Sequence, residues 1–346
     1  MVERDIALFE RPLLNFARST QVRMIILAAC LAAVVLQSAL SDGFFSLVIA
    51  LCAIAGTVAA ELLVSALRRQ RLVNDFSAVA SALVLSVMLP NTLNPAFVFI
   101  GAFFAVAVAK GSYGGLGSNW LNPALAGWLF IRFSWPDFFM LSIKDSRLSA
   151  SGTIGVLSAP DDFLGRALFN GIESLNQTIF QTFSCEIPSG FASFCVNTGT
   201  GIIADRGVLA LIAASLVICA SMQKFILPAV YLAVYLTLAR LAGFVPGSHG
   251  EMGDVFYCLF SGGTILTAFV LAADPATSPK SPVGKMGMAV FAALLSFVFR
   301  YICAELYGAF FTVAALNVLC AALRAEESKR IYNRVKGGAG EAYIWN

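Results

Sequence analysis

Apolar runs recur so densely along this chain that a bilayer is the only solvent it suits. Windows bounded by charges, Pro or Gly fall at about 24–40, 45–67, 76–89, 96–109 and 121–133, and again at 208–222, 225–244, 255–273, 286–303 and 307–323. A spanning helix needs roughly 20 apolar residues, so the pattern predicts about ten transmembrane helices, some of them short. Composition agrees, because the chain is 59% hydrophobic and only 12% charged, whereas soluble domains carry ~25% charged residues. These proportions exclude a soluble enzyme domain or a nucleic-acid module, either of which needs polar or basic stretches.

The basic residues orient the spans. With the amino terminus in the cytoplasm, sixteen of the 23 Lys and Arg fall on the inner side and seven on the outer side or in outer helix ends. This is the asymmetry of the positive-inside rule, and it predicts an inner-membrane protein with both termini cytoplasmic. Arg132 and Arg300 lie near outer helix ends, where they are expected to snorkel to the surface. The first 23 residues mix acids and bases, and the first apolar run leads into further spans rather than into a cleavage site. That run is therefore predicted to be an anchor.

Five spans precede the one long polar interval and five follow it, which is the arithmetic of an inverted repeat. The predicted divisions are a cytoplasmic segment 1–23, a first five-helix repeat 24–133, an extracytoplasmic loop 134–205, a second five-helix repeat 206–323 and a solvated cytoplasmic tail 324–346. Each half carries a glycine cluster followed by an Asx-Pro-Ala break. The first is Gly114-Gly115-Leu116-Gly117 with Asn122-Pro123-Ala124, and the second is Gly262-Gly263 with Asp274-Pro275-Ala276. Proline lacks an N–H and clashes with the preceding turn. A break in an apolar setting thus frees backbone groups that must be buried in protein or line a wet cavity. The alternatives are loops that merely end helices or a paired binding site built from the two breaks.

Metal chemistry is poorly supported. His249 is the only histidine, and the eight cysteines form no CxxC. Cys185 and Cys195 both lie in the outer loop, where an oxidising compartment permits either a disulfide or two free thiols. There is no P-loop, no dinucleotide fingerprint and no Ser-His-Asp set. Asp274 is the most informative carboxylate, being either an intramembrane group facing a cavity or path or an ordinary helix end at the inner interface.

The stretch Lys110-Gly-Ser-Tyr-Gly-Gly-Leu-Gly-Ser-Asn-Trp-Leu-Asn-Pro-Ala124, the pair Ser261-Gly-Gly-Thr264 and Asp274-Pro-Ala-Thr277, and the span arithmetic together resemble one family. It comprises the D subunit of Rnf electron-transport complexes and the homologous B subunit of sodium-translocating NADH:quinone reductases. The resemblance implies FMN on the outer loop, joined through its phosphate to a Ser or Thr hydroxyl by a flavin transferase. The family's acceptor motif resembles Asp145-Ser146-Arg147-Leu148-Ser149-Ala150-Ser151, which departs from it at Leu148 and Ser149. Ser151 is the expected acceptor, Asp145 the motif acid and Thr153 the second choice. A similar run at Asp75–Ser81 lies on the cytoplasmic side, out of a transferase's reach.

The resemblance also implies a non-covalent riboflavin inside the membrane part. Asn119, Asn122 and Asp274 are the polar groups expected to hold it if the two breaks meet. A membrane subunit that relays electrons within a multisubunit, ion-translocating complex is therefore expected, not catalytic alone. Its implied partners are a second flavinylated subunit, the other subunits of such a complex and membrane lipid. The rival reading is an inverted-repeat channel or transporter for a small polar solute, without a redox cofactor.

Overall fold

The computed structural model describes residues 20–69, 76–112, 119–139, 163–180, 201–222, 225–242, 255–303 and 305–337. Among these the protein is helical, with a single isolated β-bridge, Pro90 to Ile202. The helices are α1 (Thr20–Asp42), α2 (Phe45–Arg68), α3 (Ser77–Val87), α4 (Pro95–Phe104), α5 (Pro123–Ser134), α6 (Phe163–Thr178) and α7 (Ile203–Arg206). They continue with α8 (Val208–Met222), α9 (Ile226–Ala242), α10 (Val255–Phe260), α11 (Thr264–Leu266), α12 (Pro282–Phe297) and α13 (Gly308–Gly337). Three helices run on as π-helical turns: α4 through Ala105–Lys110, α11 through Thr267–Leu271 and α12 through Val298–Ile302.

Among the described residues four helices are long and apolar enough to cross a bilayer, namely those starting at Thr20, Phe45, Pro282 and Gly308. Shorter apolar helices pack among them. α3 has 11 residues, about 16 Å at 1.5 Å per residue, too short for a hydrocarbon layer of ~30 Å. Nine of its residues are buried, so it is an inner element walled off from lipid by its neighbours. The long helices show the converse, with Leu36, Leu51, Leu62 and Leu323 exposed, as expected of surfaces solvated by acyl chains.

α1 packs on α8 and α3, α2 on α4 and α3, and α9 on α12. Elements from both parts of the sequence therefore share one core. Close approach relies on small residues. A Cβ on Gly56 of α2 would lie 2.5 Å from the Phe99 carbonyl oxygen of α4, and one on Gly101 would lie 2.3 Å from Ile131 of α5.

Three expectations differ from the structure. The window 255–273 is not one helix: it breaks at Ser261-Gly262-Gly263, where both glycines take positive φ (68° and 67°). The Asp205 carboxylate accepts hydrogen bonds from the Gly262 and Gly263 N–H groups at 3.1 and 3.0 Å, so the amides freed by the break are satisfied. Arg300 does not snorkel. It is buried and donates to the Ser261 carbonyl (3.1 Å) and Ser261 Oγ (2.6 Å), serving the carbonyl side of the same break. Arg132 is also buried and pairs with Glu305 at 3.3 Å, its guanidinium lying over the Phe139 ring.

The last helix also outruns its predicted end at Leu323 and continues through residue 337. Arg324 and Glu327 pack back on residues 275–281, so the division drawn at 323/324 is not an element boundary.

Candidate functional site

The two Asx-Pro breaks start from the same local chemistry. Asn122 is extended (φ −61°, ψ 126°) and caps α5, its Oδ1 accepting from the Ala124 N–H at 3.0 Å, with Pro123 at the first helical position. There the absent proline N–H costs nothing. Asp274 makes the same turn, Oδ1 accepting from the Ala276 N–H at 3.0 Å. Each residue has thus satisfied its own backbone with one oxygen and has a second polar atom left to point elsewhere. Those atoms meet: Asn122 Nδ2 donates to Asp274 Oδ2 at 2.9 Å, across 152 positions of sequence.

Behind this contact lies a cavity of about 380 Å³, within the range of small-molecule sites. Asn119, Asn122 and Asp274 all line it, so the three interior residues named from sequence stand around one space. Asn119 is buried, and its Nδ2 donates to the Leu121 carbonyl at 3.0 Å. Leu27, Val84, Ile218 and Phe269 supply apolar wall from α1, α3, α8 and the π turn after α11. Asp145, Ser151 and Thr153 lie outside the described residues, as do Cys185 and Cys195. Among the described residues Cys30, Cys52, Cys219, Cys258, Cys303 and Cys320 form no disulfide with one another.

Several contributors were missed in the sequence. Lys110, at the end of the first π turn, is buried; its Nζ lies 2.6 Å from Glu61 Oε1 and 2.6 Å from Ser77 Oγ. The signal was available, since Glu61 is the lone acid in the 24-residue apolar helix α2, and such a residue needs a partner. Arg324 fastens the second break. It donates to the carbonyls of Pro275 (2.7 Å), Ala276 and Ser278 (3.0 Å). Arg23 enters from α1, its buried Nε finding no acceptor among the described residues.

Among the described residues the site thus has a basic rim of Arg23, Arg324 and the Glu61-paired Lys110, the amides of Asn119 and Asn122 and the Asp274 carboxylate, set against hydrocarbon walls. Two of the π turns among the described residues deliver side chains to it, Lys110 from the first and Phe269 and Val270 from the second. Such turns are frequent where a helix carries a site.

A model of the NQR2, RnfD, RnfE family matches residues 8–333. The chain belongs to this family. Among relatives, it is 27% identical over 290 residues to the D subunit of the Na⁺-translocating ferredoxin:NAD⁺ oxidoreductase complex of Acetobacterium woodii, covering 83% of this chain and 82% of that one. It is 30% identical over 260 residues to the proton-translocating counterpart of Clostridium ljungdahlii, with 75% of each chain covered. With the D subunit of the ion-translocating oxidoreductase complex of Erwinia tasmaniensis it shares 28% identity over 343 residues, or 93% of this chain and 96% of the other. Family membership covers both Asx-Pro breaks and all the residues around the cavity.

Proposed function

We propose that this chain is the membrane-embedded redox subunit of a multisubunit, ion-translocating oxidoreductase complex. On this reading the chain forms about ten membrane helices, some of them too short to span alone, as two inverted five-helix repeats in the inner membrane with both termini cytoplasmic. It carries FMN by a phosphoester on Ser151 of the outer loop, with Thr153 as the alternative, and a second flavin, riboflavin, in the cavity behind the Asn122–Asp274 contact. The observation that carries the reading is the meeting of the two breaks over an apolar-walled space with convergent donors, in a family whose relatives are named as subunits of ion-translocating oxidoreductases.

The residues present fit a flat heteroaromatic ring. Beyond the bonds named above, Asn119 and Asn122 each keep a second amide hydrogen and Arg23 keeps its buried Nε–H for a polar edge, while Leu27, Val84 and Phe269 offer apolar faces. Flavins supply one- and two-electron transfer, which side chains of this composition do not. Two carriers are wanted because the hydrocarbon layer is ~30 Å thick, and one site cannot span it. The protein's own contribution is to hold the ring's edge, keep water from its faces and fix it relative to the outer loop. Electrons enter and leave through partner subunits, including a second flavinylated subunit, and a flavin transferase installs the FMN.

The test is a denaturing gel viewed under ultraviolet light after coexpression with the flavin transferase. A fluorescent band that vanishes in Ser151→Ala supports the covalent flavin and names its hydroxyl. A dark wild-type band would favour the channel reading. For the cavity, riboflavin released from the folded Asn122→Ala protein is expected to fall while the covalent flavin persists. Unchanged riboflavin in Asn119→Ala, Asn122→Ala and Asp274→Ala would remove the interior site.

A further inference from the structure

A second hollow, of about 250 Å³, lies on the far side of the Asp274 break, with Ala273 and Pro275 as a wall shared with the central cavity. Its other walls are of two kinds. Phe225 and Ile226, at the start of α9, are 56% and 48% exposed, while Lys280 and Lys285 flank the start of α12. Among the described residues neither lysine has a carboxylate within ion-pair distance. The nearby Glu327 is instead turned to Ser281 Oγ at 2.5 Å and the Lys280 backbone N–H at 3.2 Å.

The depth of the hollow follows from α12. With its π turn that helix is a 21-residue apolar span, about 31 Å long, which matches the ~30 Å hydrocarbon layer. Its first residues therefore sit where acyl chains give way to headgroups. Two ammonium groups at headgroup level beside an exposed aromatic and aliphatic pair match a ligand with an anionic head and apolar tails.

We propose that this hollow binds an anionic phospholipid, its phosphate between Lys280 and Lys285 and its acyl chains against Phe225 and Ile226. The lipid then packs on the back of Pro275 and braces the break from outside. This inference does not rest on the flavin reading.

Native mass spectrometry of the full chain in mild detergent, titrated with phosphatidylglycerol or phosphatidylcholine, tests it. The wild-type chain is expected to bind one phosphatidylglycerol in preference to phosphatidylcholine. Each lysine near a membrane surface contributes about fivefold in affinity, so Lys280→Ser/Lys285→Ser is expected to weaken the lipid about thirtyfold. Lys280→Arg/Lys285→Arg should keep it, and Ile226→Ser should weaken it without abolishing the preference for the anionic head.

Equal binding of the two lipids by the wild-type chain would overturn the proposal, with no variant needed. So would phosphatidylglycerol binding unchanged in the serine double variant. Displacement of the lipid by millimolar inorganic phosphate would show a free-anion site instead and would equally overturn it.

Discussion

Asn94 and Asn122 offer an internal control for the central contact. Both are extended residues that precede a proline and cap a helix, Asn94 Oδ1 accepting from the Ala96 N–H at 2.9 Å as Asn122 Oδ1 does from Ala124. They differ in surroundings: Asn94 is exposed, whereas the Asn122 amide reaches Asp274. Asn94→Ala should lose only a cap, about 1 kcal/mol. Asn122→Ala should lose the cap and a hydrogen bond to a carboxylate, the latter about 1.5–3 kcal/mol, for a total of about 2.5–4 kcal/mol. Unfolding free energies from SDS titration, followed by tryptophan fluorescence, provide the measurement. In the double-mutant cycle of Asn122→Ala with Asp274→Ala the contact is lost only once, so a coupling energy of about 1.5–3 kcal/mol is expected. The Asn94→Ala cycle with Asp274→Ala should be additive within about 0.5 kcal/mol. Equal costs for the two asparagines, or an Asn122–Asp274 coupling below about 0.5 kcal/mol, would refute the idea that the breaks are joined by this bond.

Removing Lys110 as Lys110→Met leaves the Glu61 carboxylate without its ammonium partner and should cost about 3 kcal/mol, whereas Lys110→Met/Glu61→Met should recover much of it; a double variant less stable than the single one would contradict the pairing. Asp205→Ala strips the Gly262 and Gly263 N–H groups of their acceptor and should cost about 1–3 kcal/mol in the same SDS titration, whereas unchanged stability would count against the role given to this carboxylate. Arg324→Ala frees the carbonyls of Pro275, Ala276 and Ser278 and should loosen the second break, read as faster hydrogen exchange at the amides of residues 276–278, with unchanged exchange at 124–126.

The sequence shows where the chain must break but not what the breaks do. Asx-Pro-Ala occurs at Asn94, Asn122 and Asp274, and in each case the oxygen of the Asx side chain is spent on its own helix start or turn. That much is local and legible. Which of the three also carries a tertiary contact depends on what faces the remaining atom, and packing supplies that from 152 positions away. The buried arginines misled for a related reason. Position near a helix end suggested water, but Arg300 serves a carbonyl opened by a glycine break on another helix, and a guanidinium with five donors is the side chain best able to do so. Hydropathy likewise read 255–273 as continuous because glycine is near neutral on such scales and two of them do not interrupt an apolar window. It did not register that two consecutive positive-φ residues interrupt the ladder, leaving N–H groups for Asp205 to take up. The charges after Leu323 looked like the end of a span, yet Arg324 and Glu327 are good helix formers whose partners lie on residues 275–281. In every instance the apolar pattern located the helix, and a polar group satisfying another element's freed backbone decided where the helix bends, ends or holds a cavity open.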